Sequence, residues 1–416
     1  MKQILRIFFL LTLFVPPLFA QDPEPEVSTE TRPIEKQVRR TFQFNQDGVF
    51  FSNDFNGARA NEVEKDSTGR FVITIKPENV PINPSPWYAF KVWSKKKKNI
   101  QIRLVYPEGT RHRYDPKTSL DGANWTSLDP SLVAEEGRGP GEGTLESRPL
   151  SITFSVRTTK KPLWISGQEL EDSDRVFDWL EKVKKKGDFS IEEIGQSREG
   201  RPIKLLKIGN LGSKRMMLVI SRQHPPEVTG YFAMQAFVET LIGDSELAQS
   251  FRRDWGIYVV PLMNPDGVDA GQWRHNQGGV DLNRDWSEFN QPETRAVRDF
   301  LSRRETETGG KFYFGIDFHS TWNDVYYPMS RVYEGNAPRL IPHWLANIKA
   351  AIPNYEPRIQ PSAKLLPTRV SRNHFFDKHG MEAIVFEIGD NTPRDFIRKK
   401  GEIGAIELMK LLNERK

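Results

Sequence analysis

The chain has 416 residues, of which 37% are hydrophobic and 28% are charged, so it can build more than one core beneath a heavily charged surface. Its formal net charge is +5 and its basic residues are dispersed, which argues against nucleic acid as a partner. It contains no cysteine, which excludes a fold held by disulfides.

Residues 1–20 have the features of a signal peptide. Lys2 and Arg6 give a positive start, residues 7–14 are apolar, and Ala20 offers a small residue at a cleavage point. The apolar stretch is too short to span a bilayer, and no later segment is long and apolar enough to do so. We therefore expect an exported protein without a membrane span, periplasmic or secreted, and the lack of cysteine favours a bacterial source.

The next part of the chain changes character twice. Residues 21–38 are rich in Pro, Glu, Thr and Ser without periodicity, which predicts a flexible linker. Residues 39–168 contain short runs, several alternating with period two, separated by turn residues, and these predict a small all-β sandwich. Strands are expected at 48–51, 70–75, 87–93, 100–106 and 150–156.

Residues 169–416 alternate between strand and helix patterns, which predicts an α/β domain with a mixed central sheet flanked by helices. The expected strands are 216–220, 256–261, 312–316 and 383–386, and the expected helices are 172–186, 228–242, 292–304 and 393–413. Polar residues follow the carboxyl ends of these strands, where open α/β sheets place their sites.

Three residues beyond those strand ends predict a catalytic metal centre. His224 and Glu227 follow one strand in a His-x-x-Glu pattern, and His319 follows another. Two imidazoles and one carboxylate make a three-ligand zinc site with a position left for water, which suits hydrolysis of an amide. His-x-x-Glu is common by chance and a lone histidine is more often structural. The prediction of a metal site therefore depends mainly on the position of the motif directly after a buried strand.

The segment that begins at 264 is more specific. It contains Asn-Pro-Asp-Gly at 264–267, Gln-Trp-Arg at 272–274 and Gly-Val-Asp-Leu-Asn-Arg-Asp-Trp at 279–286, and Ser-Arg-Glu-Gly-Arg-Pro-Ile precedes it at 197–203. In these motifs and their order the chain resembles the zinc metallocarboxypeptidases of the funnelin family over about 170–416. The resemblance implies one Zn²⁺ per chain, held by the three residues above, and a peptide substrate with a free C-terminal carboxylate.

The resemblance also implies roles for five further side chains. Asp281 would orient His224 through its far nitrogen, and Asn283 and Arg284 would hold the terminal carboxylate of the substrate. Arg274 would stabilise the oxyanion, and Glu387 would act as general base and acid with a pKa raised by burial. Plain structural alternatives are a turn cap for Asp281, a surface ion pair for Arg284 and a cap before Gly389 for Glu387.

The chain also departs from the family. It has Pro226 where familiar members carry an arginine between the metal-binding His and Glu, and residues 364–376 lack the tyrosine that those members carry before the general base. That stretch holds cations instead, at Lys364, Arg369, Arg372 and His374. Arg372 is therefore a candidate substrate-binding residue that would favour an acidic C-terminal side chain, the alternative being that these cations are solvated.

Residues 87–92 and the strand at 100–106 resemble the β-sandwich that precedes the catalytic domain in cytosolic-type carboxypeptidases, where it would shape access to the site. The leading hypothesis is thus an exported zinc carboxypeptidase. One alternative is a zinc-dependent amidase or deacylase acting on cell-wall stem peptides or acylated amino acids, and another is a non-catalytic peptide-binding module. The sequence gives no indication of oligomeric state.

Overall fold

The computed structural model describes residues 28–140, 147–330, 333–361 and 369–415. The expected signal peptide lies outside these residues, as does Lys364. Within the described ranges, no helix combines the length and the hydropathy needed to cross a bilayer.

The first part of the described chain is a β-sandwich. Its strands are β1 (Thr41–Phe44), β2 (Val49–Ser52), β3 (Glu62–Lys65), β4 (Phe71–Thr74), β5 (Ala89–Ser94), β6 (Lys98–Val105), β7 (Lys117–Ser119), β8 (Thr126–Ser127), β9 (Val133–Glu136), β10 (Ser151–Thr158) and β11 (Leu163–Ser166). As described, they form one sheet in the order β1-β2-β5-β11-β7-β8 and another in the order β3-β4-β6-β10-β9. Both sheets contribute to one core, with Phe51 and Phe90 from the first and Ile102 and Phe154 from the second.

Residues 28–38 differ from the flexible linker that we expected over 21–38. They form no helix or strand, but Thr29 is 1% exposed and its carbonyl accepts a hydrogen bond from Gln291 Nε2 at 2.8 Å. The backbone N–H of Arg32 donates to Gly278 O at 2.8 Å, and that of Glu35 donates to Glu78 O at 2.6 Å. Main-chain hydrogen bonds therefore dock residues 28–38 onto the rest of the protein, which a polar composition alone does not predict.

The second part of the chain has the predicted α/β architecture. Its strands are β12 (Ser190–Gln196), β13 (Pro202–Gly209), β14 (Arg215–Ser221), β15 (Gly256–Val260), β16 (Lys311–Thr321), β17 (Val325–Pro328) and β18 (Glu382–Gly389). Among described residues they form a sheet in the order β12-β13-β15-β14-β16-β18-β17, in which β15, β14, β16 and β18 are mutually parallel and the outer strands pair antiparallel.

Helices cover both faces of this sheet. They are α1 (Ser173–Lys184), α2 (Val228–Leu241), α3 (Glu246–Asp254), α4 (Pro265–Asp269), α5 (Pro292–Thr308), α6 (Leu340–Ala351), α7 (Ser371–His379) and α8 (Arg394–Asn413). One apolar core joins the sheet to α1, α2, α3, α6 and α8, and a second joins the opposite face to α5 and α7. The mixed sheet flanked by helices, preceded by a strand-rich region, confirms the predicted fold class.

The strand order also locates the site. After β14 the chain forms β15 on one side of β14 and then β16 on the other side. The connections that follow the strands therefore reverse direction at the boundary between β14 and β16. Such a reversal opens a crevice at the carboxyl ends of the strands, where α/β sheets bind ligands. His224 follows β14, and His319 lies in β16.

Candidate metal centre

A tight turn brings His224 back over the end of β14. Arg222 has a positive φ of 57°, an uncommon conformation for a residue with a side chain. Its guanidinium is buried and Nη2 donates to Pro225 O at 2.8 Å, which closes the turn around His224. The two prolines that follow restrict the backbone up to Glu227.

Glu227 sits at the start of α2, which packs directly on the strand that carries His319. A Cβ on Gly230 would lie 2.3 Å from His319 O, so only glycine permits this approach. Gly230 N also donates to Ser320 Oγ at 2.8 Å. These contacts hold the first turn of α2, and with it Glu227, beside His319.

The three predicted ligands converge. His224 Nδ1 lies 2.8 Å from Glu227 Oε1, and His319 Nδ1 lies 2.6 Å from Glu227 Oε2. The two Nδ1 atoms are 3.2 Å apart. Two nitrogens each about 2.0–2.1 Å from a tetrahedral zinc ion lie about 3.3 Å from each other, so the spacing fits that ion.

A carboxylate contacts Nε2 of each imidazole, the ring nitrogen that faces away from the other ligands. His224 Nε2 lies 2.8 Å from Asp281 Oδ1, and His319 Nε2 lies 2.8 Å from Asp317 Oδ2. A proton on each Nε2 leaves the Nδ1 lone pairs facing each other and Glu227. Electron-pair donors this close repel unless positive charge lies between them, so the donor set fits a divalent cation.

The charges of the site reinforce this arrangement. Burial disfavours the charged form of Glu227, but His224 and His319 outweigh it and hold the pKa of Glu227 below its usual range. Burial likewise disfavours a protonated His319, yet Asp317 and Glu227 raise its pKa well above the usual value. The pocket therefore stabilises positive charge at the point where the three ligand atoms meet.

The loop before α5 connects further predicted residues to His224. Asp281 precedes a 3₁₀ turn at Leu282–Arg284, and its Oδ2 accepts a hydrogen bond from Arg274 Nε at 2.7 Å. Asn283 Oδ1 accepts from Ser371 N at 2.9 Å, and Arg284 Nη1 donates to Asn283 O at 3.0 Å. Asp281, Asn283, Arg284 and Arg274 thus lie together on one side of His224.

Glu387 lies on the other side, in β18, directly opposite His319 in the strand register. Its Oε2 is buried and has no hydrogen-bond partner among the described residues. Burial raises the pKa of Glu387 to about 7, with His319 lowering it and Glu227 raising it. A carboxylate with such a pKa can take and return a proton near neutral pH.

Arg372 lies in the first turn of α7, next to Ser371. It is 9% exposed, and its Nη1 donates to Tyr327 O at 2.8 Å. Burial lowers the pKa of Arg372 to about 10, while Tyr327 and Asp317 raise it. The side chain is therefore held against β17 rather than solvated at the surface.

A family model described as zinc carboxypeptidase matches residues 176–378. Residues 176–378 form a zinc carboxypeptidase domain. Cytosolic carboxypeptidase 6 of Caenorhabditis elegans is 22% identical over 310 residues, 66% of this chain and 63% of that protein. The mouse protein of the same name is 31% identical over 156 residues, 34% of this chain and 29% of its own length. The chain therefore spans less than two thirds of these relatives.

Two solved structures show the same fold. The metallo-carboxypeptidase from Burkholderia cenocepacia superposes with a TM-score of 0.72 at 18% identity, covering 88% of this chain and 100% of that one. The metallo-carboxypeptidase from Pseudomonas aeruginosa gives 0.68 at 21% identity, with 88% and 100% covered. The superposed 88% of the chain is much longer than residues 176–378. The shared fold therefore includes much of the β-sandwich as well.

Sequence reasoning missed several residues that support the metal centre, directly or through its neighbours. Asp317 stands two residues before His319 in the same strand, so period-two alternation could have placed both side chains on one face. Arg113 and Glu78 come from the β-sandwich and reach Asp390 and the Arg274 loop. No local signal predicts contacts over such distances in sequence.

Proposed function

We propose that this protein is an exported, zinc-dependent carboxypeptidase that hydrolyses the C-terminal peptide bond of peptides. The observation that carries the proposal is the convergence of His224 Nδ1, Glu227 and His319 Nδ1 beside Glu387, whose Oε2 has no hydrogen-bond partner in the described part of the chain. A metal centre next to a carboxylate with a raised pKa is what water-mediated hydrolysis of an amide requires.

His224, Glu227 and His319 would hold the zinc ion, which when bound would acidify water and polarise the scissile carbonyl. Glu387 accepts the proton of the attacking water and then delivers it to the leaving amine. Its pKa of about 7 suits both transfers, because the group gains and loses a proton at little cost near neutral pH. Arg274 supplies positive charge for the oxyanion that develops on the carbonyl.

Asn283 and Arg284 are proposed to bind the terminal carboxylate of the substrate. Arg284 is partly exposed and belongs to the 3₁₀ turn that Asp281 caps, and its Nη1 lies 4.0 Å from Asp281 Oδ2. A planar guanidinium can grip both oxygens of a carboxylate. This role requires a free C-terminus, which distinguishes a carboxypeptidase from an amidase of broader specificity.

Export is proposed on the pattern of residues 1–20 alone. Fusing these residues to a reporter enzyme that is active only outside the cytoplasm tests it, with Leu10→Arg as the matched control because a charge interrupts the apolar stretch. Reporter activity that persists in the Leu10→Arg fusion, or is absent from both fusions, contradicts the proposal.

The catalytic proposal is tested with purified protein and a peptide library varied at the C-terminus, including stem-peptide fragments, with and without chelator. Hydrolysis should depend on the metal and disappear for peptides that are amidated at the C-terminus. Glu387→Gln should retain zinc and lose about 10²- to 10⁴-fold in kcat. Glu382→Gln is the matched control, since Glu382 lies in the same strand with a pKa also raised to about 7 by burial.

A further inference from the structure

A carboxylate of the β-sandwich binds the loop that carries Arg274. Glu78 is 0% exposed, and its Oε1 accepts hydrogen bonds from Arg274 N at 3.0 Å and His275 N at 2.7 Å. Its Oε2 accepts from Trp273 N at 2.8 Å. Three consecutive backbone N–H groups thus converge on one side chain, which fixes the peptide planes on both sides of the Arg274 Cα.

The same loop is anchored through a side chain. Trp273 is fully buried and belongs to the apolar core of the β-sandwich, although it lies in the zinc carboxypeptidase domain. Two residues further on, His275 Nδ1 lies 2.6 Å from Asn79 Oδ1. The residues on each side of Arg274 are therefore held by the sandwich.

This anchor is connected to the metal centre through a short series of contacts. Arg274 Nε donates to Asp281 Oδ2 at 2.7 Å, and Asp281 Oδ1 lies 2.8 Å from His224 Nε2. Two contacts thus position Arg274. Asp281 binds its guanidinium, and Glu78 binds its backbone N–H.

We propose that Glu78 is a positioning residue for Arg274, so that the β-sandwich is a working part of the active site rather than an accessory domain. This inference rests on the proposed role of Arg274 as the group that stabilises the oxyanion. Misplacing such a group affects the transition state more than the bound substrate, because the negative charge develops only during the reaction. Loss of Glu78 should therefore lower kcat and leave KM nearly unchanged.

The test compares Glu78→Gln with Glu78→Ala in the full chain loaded with zinc. Glu78→Gln keeps one acceptor oxygen but places an NH₂ group against the donors of the loop, so kcat should fall about 10- to 100-fold. Glu78→Ala should cost more. Zinc content at saturating metal should stay at one per chain, and KM should change less than about threefold. A kcat within about twofold of the wild type in folded Glu78→Gln overturns the proposal.

Two control variants separate positioning from general destabilisation. Glu62→Gln removes a carboxylate from an exposed sandwich strand, where it pairs with Lys76 at 3.0 Å. Ile102→Val truncates a buried residue of β6 in the sandwich core. Ile102→Val should lower Tm without lowering kcat. An equal loss of kcat in Ile102→Val at matched loss of Tm also overturns the proposal.

A double-mutant cycle distinguishes this inference from the proposed function. In an Arg274→Ala background there is no guanidinium to place, so adding Glu78→Gln should change kcat by less than about twofold. Fully additive losses overturn the positioning role and leave the carboxypeptidase assignment intact. Full kcat in the Arg274→Ala single variant instead removes Arg274 from the mechanism and overturns both.

Discussion

Arg113 of the β-sandwich and Asp390, which follows β18, form a buried ion pair, with Nε donating to Oδ2 at 2.8 Å and Nη2 donating to Oδ1 at 3.2 Å. Arg113 Nη2 also donates to Ser320 O at 3.2 Å, next to the metal ligand His319. The contact thus joins the sandwich to the strand ends of the metal centre.

We expect Asp390→Asn to lower the free energy of unfolding by about 3 kcal/mol or more, because it leaves the Arg113 charge buried without its partner. Chemical denaturation measures this change. The control is Glu356→Gln, which breaks an exposed pair with Lys349 of 2.6 Å and should cost no more than about 1 kcal/mol. Similar losses in both variants would show that burial does not set the energy of the Arg113–Asp390 pair.

A second prediction concerns the carboxylate behind His319. Asp317 Oδ2 lies 2.8 Å from His319 Nε2 and accepts a hydrogen bond from Gln223 Nε2 at 2.6 Å. Asp317→Asn removes the charge that keeps the imidazole oriented and basic, so zinc affinity should fall about 10- to 100-fold. Competition with a chromogenic chelator measures that affinity.

Asp285→Asn is the control for this measurement. Asp285 is also fully buried, and it accepts hydrogen bonds from Gln291 N at 2.9 Å and Thr294 Oγ1 at 2.5 Å. Neither of these hydrogen bonds involves His224 or His319. Its replacement should reduce stability and leave zinc affinity nearly unchanged. An equal loss of affinity in both variants would contradict the role of Asp317.

The parallel strands were predictable because each contains a buried apolar run. The expected strand 216–220 is β14 at Arg215–Ser221, and the expected strand 256–261 is β15 at Gly256–Val260. The helix α7 was not predicted. α7 buries Arg372, Asn373 and His374, so it lacks the apolar stripe that identifies a helix.

The metal centre was predictable in part for a related reason. His224 and His319 each follow or end an apolar strand, and parallel strands bring their carboxyl ends to one edge. Glu78 and Arg113 of the β-sandwich lie 196 and 277 residues from their partners Arg274 and Asp390 in the α/β part of the chain. Such contacts depend on how two domains pack, which no periodicity in one chain segment reveals.

A third prediction concerns the pH dependence of stability. Burial raises the pKa of Glu293 to about 7, while Asn276 and the backbone of Arg198 partly offset this effect and Asp266 adds to it. The usual pKa of 4.5 applies in the unfolded chain. The folded state therefore binds the proton more tightly, and this contribution is present below pH 4.5 and is lost as the pH rises through 7.

Glu293→Gln should remove that dependence. The difference in free energy of unfolding between wild type and variant should change by on the order of 3 kcal/mol between about pH 4 and 8, with the wild type losing stability as the pH rises. Urea denaturation at several pH values measures the difference. Glu288→Gln, at an exposed position four residues beyond Arg284, should give a flat difference. A flat difference for Glu293→Gln would contradict the raised pKa.

The last prediction concerns substrate preference. Arg372 is buried beside β17, the strand that pairs with β18 and its Glu387, and the preceding residue Ser371 contacts Asn283. If this guanidinium faces the side chain of the substrate's C-terminal residue, it should favour an acidic group there. Arg372→Met keeps length and apolar volume but removes the charge. The ratio of kcat/KM for peptides ending in Glu over those ending in Leu should then fall about tenfold, equivalent to about 1.4 kcal/mol.

Arg298→Met, at a surface pair with Asp299, should leave the ratio unchanged. A ratio that is unchanged in Arg372→Met, in protein that retains zinc and turnover, would place Arg372 outside the substrate pocket and leave it as a residue that fastens α7 to β17 through Tyr327 O.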